Sequence, residues 1–362
     1  MKRSFKIQNA VRIDCFAHAL PQKLKKAILS EMGGPFPPFS DLWEKARALT
    51  DVDRRIATMN ELGVDIQVVT TPTPPLEQLF DSATSVRLAR LANDSMAELV
   101  REHNRRLVGV ATVSLANPTE AIREVKRSVE ELGLRGVLLY ATPILPALDD
   151  VVFEELYATI HGLNIPIWLH PWSTEAQPDF PNEARSKYLS WYAFGWPYFT
   201  TLTMARLVFG GILERYPGLK VLVHHAGSFV PVMAGRMQRV YDLKGYEEVD
   251  FAPGLRKPYL DYFRQFYVDS ITYGSLGALM TSYEFFGSDR MLFGTDMPFD
   301  LEDGRDLTRE SASTIEHMMI PDSKKEDIFF RNALKLCGLE DMAQRHLERQ
   351  GVGADSLRDS GG

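Results

Sequence analysis

Eight short apolar runs recur along the chain, separated by longer stretches with helical spacing. They are "VRIDCFA" (11–17), "VDIQVVTT" (64–71), "LVGVATVS" (107–114), "GVLLY" (136–140), "IPIWLH" (165–170), "KVLVHH" (220–225), "FYVDS" (266–270) and "RMLFGTD" (290–296). Most are rich in Val, Ile and Leu and lack polar alternation, the pattern of strands buried on both faces. The stretches between them read as helices. "DVDRRIATMNELG" (51–63) ends in glycine, "TSVRLARLANDSMAELVREHNRR" (84–106) carries apolar residues at helical spacing, and Asn117-Pro118 forms a cap and first-turn pair. Eight strands alternating with helices predict an α/β fold, a (β/α)8 TIM barrel in a single domain. The rival, a doubly wound open sheet, would need a Gly-rich phosphate loop after the first strand, and none is present.

Two insertions interrupt the alternation. One spans about 19–50 after strand 1 and contains "GGPFPPF"; the other spans about 171–199 after strand 5 and is rich in aromatics. Both follow the C-terminal ends of strands, where barrels place their active sites, so both are expected to wall a substrate pocket. Residues 1–345 are read as the barrel and 346–362 as a polar C-terminal tail ending "GVGADSLRDSGG".

Bulk composition narrows the partners. The 362 residues are 45% hydrophobic and 25% charged, with a formal net charge of −7 and no basic block, which argues against nucleic acid. Cys15 and Cys337 are too few and too far apart for a disulfide framework or a zinc knuckle, and fit a reducing, cytoplasmic setting. The start "MKRSFKIQNAVRID" has no apolar signal core, and no run is long enough to span a membrane.

The strand ends carry the chemistry. Strand 1 ends at His18, strand 5 at His170, strand 6 at His224 and His225, and strand 8 at Asp296. Barrel closure would bring these ends to one mouth. Two histidines and a carboxylate can hold a divalent metal and leave positions for water or substrate. Alone, each residue has a plainer reading. A lone strand-end histidine is more often a hydrogen-bonded core residue, and Asp296 could cap a following helix. Strand alternation requires one of His224 and His225 to point away from the interior. His103, His161, His317 and His346 fall on helical stretches and read as solvated. The coincidence of four histidines at three strand ends favours a shared site.

These residues resemble the amidohydrolase superfamily, in its aminocarboxymuconate-semialdehyde decarboxylase-like (amidohydrolase-2) branch, over about 12–340. The resemblance rests on "ERYPGLKVLVHHAGSFVP", "MLFGTDMPFD", "HPWST", "SWYAFGWPYFTTLTMARLVFGGI" and "FFRNALKLCGL" taken together. It implies metal ligands at His18, His170 and Asp296, a general base at His225 acting with Asp296, and His224 turned toward the helices. It implies one divalent ion, zinc or manganese, since no lysine ends strand 4 as in two-metal relatives. It further implies Trp191 against the substrate, Arg47 as a candidate for the substrate carboxylate, and Arg55 as structural; the aromatic 171–199 loop itself reads either as packing on the barrel or a dimer partner, or as Trp172 and Trp191 lining an apolar pocket. Strand 1 departs from the branch: Asp14-Cys15-Phe16-Ala17-His18 has phenylalanine where a histidine or glutamate ligand usually stands. Cys15 then reads as core packing and Asp14 as an orienting group one layer deeper.

The activity implied is non-oxidative decarboxylation of a small carboxylated aromatic or unsaturated compound by a homodimer. A metal-dependent hydrolase of a C–C or ester bond is the alternative, and a degenerate barrel with a binding role the second.

Overall fold

The computed structural model describes residues 11–36, 38–242 and 254–349. The chain is a (β/α)8 barrel of short parallel strands: β1 (Ile13–His18), β2 (Ile66–Thr70), β3 (Leu107–Gly109), β4 (Ala111–Thr112), β5 (Val137–Ala141), β6 (Ile167–Pro171), β7 (Val221–Val223), β8 (Tyr267–Asp269) and β9 (Met291–Leu292). β1–β2–β3 and β4 through β9 form two parallel ladders. The run expected as one third strand is split at Val110. Its amide donates back to Val69 O at 3.0 Å, while the Ala111 amide donates to Gly136 O at 2.9 Å. One continuous segment thus serves both ladders. At the other seam, the amides of Cys15, Asp296 and His18 bond Phe293 O, Phe16 O and Met297 O at 2.8, 2.9 and 2.8 Å, joining the last strand to the first.

Helices cover the outside, and their ends follow from the sequence. Val52–Leu62 starts at Asp51, whose side chain accepts from the Arg54 amide, and stops at Gly63 with φ 69°. Pro118–Glu130 starts at Asn117, which accepts from the Glu120 amide. The strand interiors are buried, with Ile13, Ile66, Val137, Ile167 and Val221 at 1% exposure or less. The first insertion is no loop: it folds into helices Gln22–Glu31 and Phe39–Lys45 and a turn at Arg47–Leu49, packed on Leu20, Trp43 and Leu88. The second stays irregular to Ser190, then enters a helical stretch from Trp191 to Phe209.

The expected tail boundary falls inside a helix, Glu340–Arg349, and the "GVGADSLRDSGG" segment lies outside the described residues, as do residues 1–10. No helix among the described residues is long and apolar enough to cross a membrane.

Candidate metal centre and its cleft

Arg55 shows how the end of β1 is held. Its fully buried guanidinium donates to Gln67 Oε1 at 2.6 Å, to Ala48 O at 3.1 Å and to His18 O. This is the structural role implied for it. A bulge lies in β1: Asp14 pairs with Gln67 and Ala17 with Val69, so three steps of β1 oppose two of β2. Bulges beside active sites re-aim side chains, and here His18 is delivered to the mouth.

Four imidazoles meet there. Ring centroids lie 5.2 Å apart for His18–His170, 4.8 Å for His170–His224 and 3.8 Å for His224–His225. The Nδ1 atoms of three are tied from outside. Thr71 O faces His18 Nδ1 at 3.3 Å, Pro171 O faces His170 Nδ1 at 2.7 Å, and Asp269 Oδ2 faces His224 Nδ1 at 2.6 Å. Carbonyl and carboxylate oxygens only accept, so Nδ1 of His170 and of His224 carries a proton, while His18 Nδ1 also meets the Thr70 hydroxyl at 2.9 Å, which can donate or accept. Asp296 completes the set, with Oδ1 3.2 Å from His18 Nε2 and 3.6 Å from His224 Nε2. Asp296 does not cap a helix; the next one begins only at Arg305.

His224 is where the structure overturns the alternation argument. β7 ends at Val223, and His225 and Ala226 adopt φ of 59° and 52°. These two open a run of four consecutive positive-φ residues, His225 to Ser228, so the period-2 rule no longer applies beyond the strand. His224 is fully buried and faces the interior, not the helices. His225 also reaches the site, at its outer edge, with Nε2 3.0 Å from the Tyr273 hydroxyl. Tyr273 donates in turn to Asp296 Oδ2 at 3.0 Å. Asp296 itself holds φ 60°, a strained value for a non-glycine residue. Gly294 permits this packing, since a Cβ there would stand 3.0 Å from Asp269 Cβ and 3.3 Å from Phe16 Cβ.

The electrostatics set a carboxylate against imidazoles. Burial works against charge on His224, yet Asp269 and Asp296 outweigh it and lift its imidazole to about 9. Burial, together with the neighbouring imidazoles, holds His170 and His225 well below the usual range. Burial would raise Asp296, but the imidazoles of His18 and His224, 3.2 and 3.6 Å from its Oδ1, hold its carboxyl well below the ordinary range. His18 Nε2 and His224 Nε2 are buried without a hydrogen-bond partner. Buried polar atoms left this way are rare and costly. Imidazole nitrogens converging with one carboxylate suit a divalent ion such as zinc or manganese. A divalent ion therefore fits these residues.

Beside the cluster opens a largely apolar cleft of about 490 Å³, walled by Tyr192, Trp196, Phe229, Ile271, Tyr273 and His225. Trp172 and Trp191 are not among its walls. Trp172 is 1% exposed and packs behind Trp196, at 6.3 Å between rings, while Trp191 leans on Tyr192 and Trp196. The aromatic wall comes from residues one to five positions further on, because the chain turns helical at Trp191 and rotates Tyr192 and Trp196 inward. Arg47 points elsewhere: its exposed guanidinium lies 3.7 Å from Asp303. Tyr273 and Asp269 lie beyond the sequence reading. Asp269 ends a short apolar run, and only its pairing with His224 gives it meaning.

The chain is similar to known proteins. The amidohydrolase family model matches residues 13–339. Gamma-resorcylate decarboxylase of Polaromonas sp. (strain JS666) is 28% identical over 317 residues, covering 83% of this chain and 92% of that protein. The 2-amino-3-carboxymuconate-6-semialdehyde decarboxylase of Dictyostelium discoideum is 27% identical over 290 residues, covering 80% and 77%. Among solved structures, dihydroxybenzoic acid decarboxylase of Polaromonas sp. JS666, with bound manganese and the inhibitor 2-nitroresorcinol, superposes with a TM-score of 0.74 at 25% identity, covering 91% of this chain and 97% of that one.

Proposed function

Because the chain belongs to the amidohydrolase family, we propose that it is a metal-dependent, non-oxidative decarboxylase of a small carboxylated aromatic compound. One observation carries the reading: buried imidazole nitrogens converge with Asp296 at the edge of an aromatic-walled cleft. In this reading His18, His170 and Asp296 hold one divalent ion. When bound, such an ion supplies positive charge for substrate oxygens and for the anionic state that forms as carbon dioxide leaves.

The protein's own residues do the rest. Tyr192, Trp196 and Phe229 offer flat apolar surface to a ring, and the cleft is of ordinary size for a small-molecule site. Tyr273 donates to Asp296, so its oxygen accepts from His225 Nε2–H. His225 Nδ1 is then left without a partner, and it is buried. His225, whose ring lines the cleft, can take a proton from the substrate's ring hydroxyl or from water and return it to the ring carbon. The bond from that carbon to the carboxylate breaks, carbon dioxide leaves, and one proton is taken up in its place. Arg47 has no part in this scheme, nor do Trp172 and Trp191 beyond supporting the wall.

A homodimer and a cytoplasmic setting complete the reading. Exposed Tyr188, Leu189, Phe194, Tyr198 and Val232 support the first, and free, buried Cys15 and Cys337 the second. The test is incubation of the manganese-loaded protein with a panel of hydroxylated aromatic acids, following carbon dioxide and the ring product. Carbon dioxide with the decarboxylated ring supports the reading. Two larger fragments would mean a hydrolase, and turnover of no acid, with binding intact after Asp296→Asn, a binding protein.

A further inference from the structure

We propose that His224 is itself a metal ligand, standing in for the ligand that strand β1 lacks because residue 16 is phenylalanine. The inference rests on the metal-dependent reading above and goes beyond it in naming the donor that replaces a missing one.

Three observations converge. First, distances: donor atoms bound to one ion at about 2.1 Å lie roughly 3.0–3.4 Å from one another. Asp296 Oδ1 stands 3.2 Å from His18 Nε2 and 3.6 Å from His224 Nε2, close to that spacing on both sides. His18, His170 and His224 also present donor atoms within 4.8 Å of one another. Second, orientation: Asp269 receives the His224 Nδ1 proton at 2.6 Å and also accepts from the backbone amides of His225, at 3.1 Å, and Ala226, at 2.9 Å. One carboxylate thus fixes both the ring and the left-handed turn that carries it, and directs Nε2 inward. A carboxylate behind a ligating imidazole is the common second partner of metal-bound histidine. Third, Phe16: its ring lies flat against His224, with centroids 4.1 Å apart and planes at 27°, and it stands 5.9 Å from both His18 and His170. Phenylalanine therefore packs against the cluster and supports the imidazole stacked on it. His225 also offers a donor atom within 4.8 Å of His224 and Asp296, but its ring lines the open cleft and is held at its edge by Tyr273, whereas His224 is fully buried and stacked on His170.

The test reads the metal and not turnover. The full chain is stripped with chelator and titrated with Mn²⁺, and bound metal is counted by mass spectrometry. Pulsed electron paramagnetic resonance on the ¹⁵N-histidine protein then counts coordinated imidazoles. Three imidazoles in the wild type support the proposal; two overturn it. His224→Ala should weaken Mn²⁺ binding by more than the ~10–100-fold typical of losing an outer partner. Adding Phe16→His to that variant should restore binding, since a ligand returns to β1 beside the vacated space. Unchanged affinity in His224→Ala, or no rescue by Phe16→His in a variant shown to be folded by circular dichroism, would overturn the proposal. Should His224→Ala fail to fold, His224→Asn keeps a polar group toward Asp269 and must show the same loss. If the wild type takes up no Mn²⁺ or Zn²⁺ at all, the metal-dependent reading itself fails. If it binds metal through two imidazoles, only the role of His224 does.

Discussion

Two buried carboxylates are tied to the Phe16 backbone, Asp14 accepting from its amide and the Asp296 amide donating to its carbonyl, and they are used in opposite ways. Asp14, below, accepts from the Phe16 amide at 3.1 Å, Gln67 Nε2 at 2.8 Å, and the Thr295 amide and hydroxyl at 3.1 and 2.6 Å. It ties β1 to the segment that carries Asp296, and burial pushes its carboxyl up to about 7 in spite of those bonds. Asp296, above, faces imidazole nitrogens that have no hydrogen-bond partner and a tyrosine shared with His225. The lower layer is saturated with donors and holds the backbone. The upper layer leaves nitrogen atoms unmet, a deficit of partners. Saturation marks architecture, and the deficit marks a site for a cation.

That contrast can be broken most sharply at Asp296. Asp296→Ala should abolish stoichiometric metal binding and carbon dioxide release, an effect larger than the ~10–100-fold of losing an outer partner. Metal analysis beside product analysis checks both at once, and retained metal would dissolve the distinction between the layers. Next in size is His225→Asn, for which kcat should fall by ~10²–10⁴-fold with metal content unchanged. Burial keeps the His225 imidazole well below its usual range, so any acid-side break in kcat/KM from this group should lie below pH ~6.5. Loss of metal in this variant would place His225 among the ligands instead.

The third comparison sets Asp269→Asn against Asp14→Asn. Asp269→Asn should weaken metal affinity by ~10–100-fold. Asp14→Asn should leave affinity near wild type and lower unfolding free energy by about 1–3 kcal/mol, because Asn turns an N–H toward donors. The pH sense is specific. The folded carboxyl of Asp14 titrates near 7 against 3.8 when free, so between those values the folded state holds the extra proton. This group's contribution to stability therefore falls as pH rises from about 4 to 7, and chemical denaturation of the Asn variant should lack that component. The smallest effect is expected at Arg47. Arg47→Ala removes an exposed pair with Asp303, worth less than ~1 kcal/mol, and should leave KM for an aromatic acid unchanged. A clear rise in KM would bring Arg47 back to the substrate.

The alternation of apolar runs and helical stretches was enough to predict the barrel, and coincidence at strand ends was enough to group His18, His170, His224, His225 and Asp296. Those signals are local: a buried strand must be apolar along its length, and polar residues at its C-terminal end stand out. Three features were decided only in three dimensions. The bulge in β1 and the left-handed turn at His225–Ala226 set which side chains face inward, and neither follows from residue types. The cleft walls passed from Trp172 and Trp191 to Tyr192, Trp196, Phe229 and Tyr273, because helical rotation after residue 190 fixes which aromatic points inward. The meaning of Asp269 and Tyr273 arose from partners 45 and 23 residues away, His224 and Asp296. Sequence by itself determined which elements form and which chemistry is at hand; the tertiary structure decided which atoms converge, since closing the ring is what brings distant strand ends within bonding distance.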